Sequence, residues 1–116
     1  MRKKILFSLV LILAVLNNAC SLVEAVTHRQ ALSDYAEELF RRQNELTTII
    51  MMLPEEDDVV YQAEMDMHAA CKLLNDYARL TMEGKNTGIL FQRKVKNSLP
   101  ACDAAIQKLE AILDVQ

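Results

Sequence analysis

The chain has 116 residues, of which 52% are hydrophobic and 25% charged, and it contains only two glycines, two prolines and no tryptophan. At roughly 150 residues per domain, this length predicts a single domain. So few turn-forming residues argue against disorder, collagen-like repeats and β-sandwich folds, and they favour an all-α fold. The formal net charge is −3, from 13 basic and 16 acidic residues.

The first residues are typical of a secretory signal peptide. Three basic residues precede an apolar run at 5–16, which is interrupted only by Ser8. This run is shorter than the roughly 20 residues that a membrane-spanning helix needs, but it matches the apolar middle of a cleavable leader. We therefore expect a signal peptide at 1–19, a tether at 20–30 and a helical bundle domain at 31–116.

Two kinds of cleavage fit the end of this leader. Cys20 followed by Ser21 resembles a bacterial lipoprotein signal, in which Cys20 would become the lipidated first residue. Asn17 and Asn18 depart from that pattern, which has aliphatic or small residues there, so ordinary cleavage after Ser21 or Ala25 is the alternative. The resemblance implies an outer-membrane-anchored lipoprotein facing the periplasm. The alternative implies a soluble periplasmic or secreted protein.

The cysteines fit an exported chain. Once Cys20 is lipidated or removed, Cys71 and Cys102 remain as a pair. An oxidising compartment favours a disulfide between them. The alternative is two buried thiols that pack as small apolar side chains.

Two amphipathic helices are predicted after the leader. Apolar residues at alternating spacings of three and four form the first stripe, and Pro54 ends that helix and can begin the next. The carboxylates at 55–58 suit the positive end of the second helix, and Gly84 is a natural stop. The first stripe is Leu32, Tyr35, Leu39, Leu46, Ile49 and Leu53, interrupted near Arg42 and Gln43; the second is Val60, Ala63, Met67, Ala70, Cys71, Leu74, Tyr77 and Ala78.

The last part of the chain allows two interpretations. In the first, a helix at Ile89–Asn97 contributes Leu90, Phe91 and Val95 to the core, and Ser98 caps a separate last helix with Pro100 in its first turn. In the second, one helix runs from Asn86 to Asp114 and is kinked at Pro100. Either gives a small antiparallel helical bundle of three long segments.

Charge is unevenly distributed along the chain. Val23–Glu83 contains 13 acidic and 5 basic residues, whereas Lys85–Gln116 contains 3 acidic and 5 basic residues. Without the leader the balance is about −6, which makes nucleic acid an improbable partner because phosphate contacts dominate such binding. The basic residues Lys85, Arg93, Lys94 and Lys96 could contact anionic lipid head groups or an acidic protein, or form an ordinary solvated helix face.

Residues that could perform catalysis are scarce. His68 and Cys71 lie one helical turn apart, so a Cys–His dyad is conceivable, but a disulfide at Cys71 would remove its nucleophile. No nucleophile elbow and no phosphate-binding glycine loop occurs in the sequence. We therefore expect no catalytic residue, no cofactor and no enzymatic activity.

A metal site is the alternative interpretation. Met65, Met67 and His68 place soft ligands on one helix, and thioether and imidazole groups suit copper or zinc in an exported protein. Met65 and Met67 are two residues apart, however, and so point to different sides of a helix. Met67 also belongs to the core stripe, where methionine commonly fills gaps.

These observations predict a non-enzymatic protein of the bacterial cell envelope, a small lipoprotein that acts by binding another envelope protein. Immunity, exclusion, assembly and chaperone-like roles all fit. The membrane would be reached through a lipid on Cys20. The alternative function is a periplasmic metal or stress sensor that binds copper or zinc through Met65, Met67 and His68.

Overall fold

The computed structural model describes residues 31–55 and 57–114, and the predicted signal peptide and tether lie outside these residues. The described secondary structure is entirely helical, which confirms the all-α prediction. Helix α1 covers residues 31–51, and it is followed by α2 (Asp58–Ala70), α3 (Lys72–Met82) and α4 (Ile89–Asp114). The described residues from Asp34 onward belong to one compact unit.

The helices pack as a bundle in which α2 and α3 together form the middle segment. Contacts between helices show that this segment runs antiparallel to α1 and α4, whereas α1 and α4 run parallel to each other. The contacts are Gln43–His68 and Ile50 beside Val60 for α1 and α2; Asp66–Lys108 and Cys71–Cys102 for α2–α3 and α4; and Tyr35–Asp103 and Arg42–Glu110 for α1 and α4.

Aliphatic side chains from all four helices fill the core. Leu39, Met67, Leu74, Leu99 and Ile106 are among the largest side chains that are almost completely buried. Burying one such side chain contributes about 1.5–3 kcal/mol, so packing of the apolar stripes is the main source of stability.

The apolar stripe of α1 differs from the predicted one. Ala36, Leu39 and Leu46 are buried as a helical stripe requires, but Tyr35 and Ile49 are both 41% exposed and lie at its edge. The position between Leu39 and Leu46 is filled by Gln43, which is only 4% exposed. The predicted interruption of the stripe is therefore a polar residue inside the core.

The turn between α1 and α2 contains Pro54, as predicted, but Pro54 does not begin α2. That helix begins at Asp58, and Asp57 is its N-cap, with a carboxylate that accepts a 2.7 Å hydrogen bond from the Val59 amide. Such a cap satisfies an amide that the helix leaves without a partner. The turn is therefore longer than predicted because an aspartate cap takes the place of the proline start.

The second segment is interrupted at Cys71, which the sequence did not predict. Cys71 has φ −91° and ψ 5°, outside the α-helical region, and separates α2 from α3. The Cys71 amide still donates to the Met67 carbonyl, and the Cys71 carbonyl accepts from the Asn75 amide. The helical hydrogen bonds therefore continue across the interruption with little change. The interruption falls at the residue that forms the disulfide.

Helix α4 is continuous through Pro100, as in the second interpretation, although it begins at Ile89 and not at Asn86; the alternative division into two helices is wrong. The Ser98 hydroxyl donates to the Val95 carbonyl within the helix and caps nothing. Pro100 has no amide hydrogen and deprives the Lys96 carbonyl of its usual partner, which weakens a helix interior. Burial of Leu99 and the disulfide at Cys102 hold both sides of the proline in place.

Candidate interaction surfaces

The residues predicted to form the envelope anchor fall outside the described part of the chain. This applies to the signal peptide at 1–19 and to Cys20, the predicted lipidation site. Within residues 31–55 and 57–114, no helix is both long and apolar enough to cross a membrane.

The structure contains the predicted disulfide. Cys71 and Cys102 are bonded, and both are fully buried. His68 does lie one turn before Cys71, but the sulfur is bonded to Cys102 and is not a free thiol. The conceivable Cys–His dyad is therefore absent from this form of the protein.

The residues of the alternative metal site do not converge. Met67 is fully buried in the core, whereas Met65 is 49% exposed. The His68 ring is half-buried, with Nδ1 3.4 Å from the Gln43 amide nitrogen and Nε2 3.5 Å from the Glu64 carboxylate. No group of three or more His, Cys, Asp or Glu residues in the described ranges is arranged to hold a metal ion. Their positions indicate core packing for Met67 and a polar contact for His68.

A charged cluster between α1 and α4 was not predicted. The Arg42 guanidinium donates twice to Glu110, at 2.9 and 2.7 Å, and once to Asp103, at 2.9 Å. The Tyr35 hydroxyl also donates to Asp103, at 3.0 Å. Arg42 and Asp103 side chains are each 22% exposed, so the cluster is partly desolvated. The only signal in the sequence was that Arg42 interrupts the α1 stripe.

The bonds within this cluster shift its pKa values. Hydrogen bonds that Arg42 donates to Glu110 and to Asp103 raise its pKa, against the opposing effect of burial. Burial alone would raise the pKa of Asp103, but hydrogen bonds from Gln107, Arg42 and Tyr35 outweigh it and lower that pKa. Burial and the bond to Asp103 raise the pKa of Tyr35. Each shift favours the charge state that the cluster requires at neutral pH.

One end of the bundle is strongly acidic. Residues 45–66, which include the turn from α1 to α2, contain seven carboxylates and no lysine or arginine. The last turn of α4, which ends at Asp114, lies at the same end because α1 and α4 run parallel. We refer to residues 45–66 and this last turn as the acidic end.

An open groove of about 730 Å³ crosses the acidic end. Its apolar lining comes from α1, the following turn and α4, and its acidic lining comes from the same turn and the start of α2. The lining residues are Ile49, Leu53, Pro54, Glu55, Asp57, Asp58 and Leu113. A neighbouring groove of about 310 Å³ shares Ile49 and Leu113 and also contains Glu45, Asp114 and the Arg42–Glu110 ion pair. The acidic end therefore combines apolar surface with a carboxylate rim.

Large apolar side chains are exposed around these grooves. Met51 and Met52 are 73% and 77% exposed, and Val59 and Tyr61 are 60% and 49% exposed. Scattered apolar residues are common on protein surfaces, but a contiguous set with a polar rim is typical of an interaction site. Methionine adapts its shape to a partner more readily than branched side chains do.

The opposite end, where α3 turns into α4, is basic. Residues 79–97 contain five lysines and arginines and a single carboxylate, that of Glu83. Lys85 and Arg79 share this carboxylate, at 2.6 and 3.1 Å, and their hydrogen bonds lower its pKa. We refer to residues 79–97 as the basic end.

The other three predicted basic residues form no such ion pair with the residues that the structure describes. Arg93, Lys94 and Lys96 are exposed on α4, and no described carboxylate lies within ion-pair distance of them. The four residues of the predicted basic patch are thus brought to one end of the bundle. Their role as a partner or lipid surface is untested and remains a prediction.

The basic end also exposes apolar side chains that the sequence analysis missed. Met82, Ile89 and Leu90 are 79%, 69% and 73% exposed. Leu90 was predicted to contribute to the core, and that prediction is wrong. The buried residues of α4 begin at Val95 and continue through Leu99. Residues four apart lie on the same face of a helix, so position 91, four residues before Val95, faces the core, and position 90 does not.

Comparison with protein-family models, curated proteins and solved structures finds no match to this chain.

Proposed function

We propose that this chain is a non-enzymatic protein of the bacterial cell envelope, a small lipoprotein anchored through Cys20, which acts by binding another envelope protein through its acidic end. An immunity, exclusion, assembly or chaperone-like role fits such a binding protein. The observation that carries the proposed binding surface is the acidic end, where carboxylates and apolar side chains line one open groove and further large apolar side chains are exposed.

The acidic end also suggests what kind of partner would bind there. Ile49, Leu53 and Leu113 provide an apolar floor, and Glu55 and Asp58 stand beside it. A partner that presents an apolar side chain flanked by lysines or arginines would be complementary in both respects. Complementary charge would speed the encounter and set the orientation, while apolar burial would supply most of the affinity.

The anchor is tested by the intact mass of the native protein isolated from the envelope fraction. We expect a chain that begins at Cys20 and carries acyl groups. A chain that begins at Leu22 or Val26 without lipid would contradict the lipoprotein assignment and leave a soluble exported protein.

The binding surface is tested by site-specific crosslinking in intact cells. A photo-crosslinking amino acid replaces Met51 at the acidic end or, as the matched control, Leu90 at the basic end; both positions are 73% exposed. We expect a discrete protein adduct from position 51 and none from position 90. The charge reversals Glu55→Lys and Asp58→Lys should reduce the adduct, because they replace attraction to a basic partner with repulsion.

Two results would contradict this assignment of the surface. One is a similar adduct from both positions, which would show that contact does not depend on the acidic end. The other is an adduct at position 51 that persists after both charge reversals, since the proposal requires complementary charge.

A further inference from the structure

Apolar and basic side chains are arranged in two layers at the basic end. Ile89 and Leu90 occupy the first two positions of α4, and Met82 is the last residue of α3, so the three apolar side chains lie at the tip. Arg93 and Lys94 follow Ile89 and Leu90 by four residues each, which places them on the same faces of α4, about 6 Å further from the tip. Lys96 extends this basic layer.

The tip is held in place by specific hydrogen bonds. Gly84 adopts φ +68° and ends α3, while its amide donates to Thr81 and the Lys85 amide donates to Leu80. On the other side of the turn, the Gln92 side chain donates to both the carbonyl and the hydroxyl of Thr87. The exposed apolar side chains therefore project from a fixed turn.

The direction of α1 places the start of the compact unit away from the acidic end. Asp34 is one residue before Tyr35, which contacts Asp103, and α1 runs from there toward the acidic end. Along α4, Asp103 lies about 20 Å from Ile89 at the tip. Ten residues separate Cys20 from residue 31, where α1 begins, and an extended chain of that length can reach about 35 Å. A chain anchored at Cys20 is therefore long enough to let the basic end meet the bilayer.

We propose that the basic end is a contact site for the surface of an anionic phospholipid bilayer. In it, Met82, Ile89 and Leu90 enter the boundary between head groups and acyl chains, and Arg93, Lys94 and Lys96 contact lipid phosphates. The apolar faces of interfacial helices enter a bilayer to a depth of about 5–10 Å, and the spacing between the apolar and basic layers agrees with this depth.

Two features favour a lipid surface over an acidic protein. The apolar side chains flank the turn at 83–88, and Arg93 and Lys94 lie about one helical turn further from it, which matches the order of acyl chains and phosphates in a bilayer. The basic end as a whole carries an excess of four positive charges within residues 79–97. An anionic surface attracts each such charge without requiring a matching side chain.

This proposal deepens the proposed function and rests on it for the presence of a nearby membrane. It adds an orientation, because contact at the basic end directs the acidic end away from the bilayer toward a protein partner. The two proposals can nevertheless fail separately, since the experiment below measures contact of the basic end and not the anchor or the partner.

The test is lysine footprinting of the full chain with vesicles. The protein is mixed with vesicles of phosphatidylcholine alone or of phosphatidylcholine with phosphatidylglycerol, and its amines are acylated with a water-soluble reagent and mapped by mass spectrometry. We expect phosphatidylglycerol to decrease labelling of Lys85, Lys94 and Lys96 severalfold. Labelling of Lys72 and Lys108, exposed elsewhere on the bundle, should not change.

Variants separate the two layers of the site. Ile89→Ser with Leu90→Ser should abolish the protection, whereas Met51→Ser with Met52→Ser at the acidic end should preserve it; all four side chains are highly exposed, so folding should be unaffected. Arg93→Gln should weaken the local contact about fivefold, and raised salt should weaken it further.

Three outcomes would overturn the proposal. Equal labelling in the two vesicle compositions would show that anionic lipid is not recognised. Equal protection of all five lysines would indicate crowding at the vesicle surface and no contact at the basic end. Protection that persists in the Ile89→Ser, Leu90→Ser variant would show that the apolar layer takes no part, as expected for a purely electrostatic partner such as an acidic protein.

Discussion

Helix α4 is joined to its two neighbours in different ways. Toward α2 and α3 it presents apolar side chains and a covalent bond, with Cys102 joined to Cys71 and the Asp66–Lys108 ion pair at the surface. Toward α1 it presents Asp103 and Glu110, which bind Arg42 in the partly buried charged cluster.

The contact of α4 with α2 and α3 should therefore depend little on pH, whereas its contact with α1 should depend on it. A disulfide and aliphatic packing do not change with the protonation of carboxylates, whereas the charged cluster loses the attraction between Arg42 and Asp103 once Asp103 is protonated. Of the two contacts of α4, the one with α1 therefore depends more on protonation.

The largest expected loss of stability comes from removing the disulfide that joins α4 to Cys71. Replacing both cysteines, Cys71→Ala with Cys102→Ala, removes a bond between residues 31 apart. In the chain-entropy model this lowers the free energy of unfolding by about 3.7 kcal/mol, because the unfolded chain regains the freedom that the loop had removed. Urea unfolding followed by circular dichroism measures this change.

Reduction provides the control for this variant. The wild type treated with a thiol reductant should approach the stability of the double variant, and the double variant itself should not respond to the reductant. A loss below about 1 kcal/mol would show that the disulfide constrains the unfolded chain far less than the model requires.

The second-largest expected loss of stability concerns the contact between α4 and α1. Arg42→Met keeps most of the apolar stem but leaves Asp103 and Glu110 without their cation. Stranding a fully buried charge costs about 3–5 kcal/mol, but these side chains retain access to water, so we expect a loss of about 1–2 kcal/mol. The same urea titration measures it.

Arg41 is the matched control because it is the neighbouring arginine and also binds carboxylates. Its partners, Glu38 and Glu45, lie on α1 itself, and all three side chains are at least half exposed. Arg41→Met should therefore leave the unfolding midpoint almost unchanged. Equal losses of stability from Arg42→Met and Arg41→Met would show that Arg42 does not stabilise the fold through its contact with α4.

Much of the fold could be predicted because its apolar stripes are regular. The helical class, the disulfide and the stop at Gly84 all follow from residues whose local chemistry permits few alternatives. The sequence could not show whether α4 is continuous or divided at Pro100. A proline is tolerated in the first turn of a separate helix, and it can also lie in the interior of a longer, kinked one. The choice depends on packing at Leu99 and Cys102, which is not local.

The two ends were harder to predict than the core. The basic residues were evident from their spacing, but the exposed Leu90 was assigned to the core because one apolar residue at the start of a helix does not reveal which face is covered. The cluster of Arg42, Asp103 and Glu110 joins residues more than sixty positions apart. Only the packing of α1 alongside α4 brings them together.

A smaller effect is expected at the turn that joins α3 to α4. Gly84→Ala places a Cβ on a residue with φ +68°, where no neighbouring atom lies within 4 Å, so the cost is backbone strain alone. We expect a loss of about 1 kcal/mol in the free energy of unfolding. Gly88→Ala, at a glycine with open space around it and no positive φ, is the control and should be close to neutral. Similar losses at both positions would contradict the role of the left-handed conformation.

The smallest effect tests the pH dependence of the α1 contact directly. The pKa of Asp103 lies below its usual value of 3.8 in the folded protein, so its ionised form stabilises the fold fully above that value. The contribution disappears as the pH falls through the lowered pKa. Asp103→Asn should therefore be less stable than the wild type at neutral pH, by less than about 1 kcal/mol, and the difference should vanish in acid.

Urea titrations of both proteins from neutral pH to below pH 4, approximately, measure this difference. Because Asn keeps the size of the side chain and one acceptor oxygen, the comparison isolates the charge. A difference that stays constant with pH would mean that shape and hydrogen bonding, and not ionisation, join α1 to α4. The contrast between the two sides of α4 would then be one of covalent linkage alone. A difference that closes in acid, in a protein whose disulfide remains intact, would show that the α1 side of α4 depends on the ionised Asp103 whereas the covalent side does not.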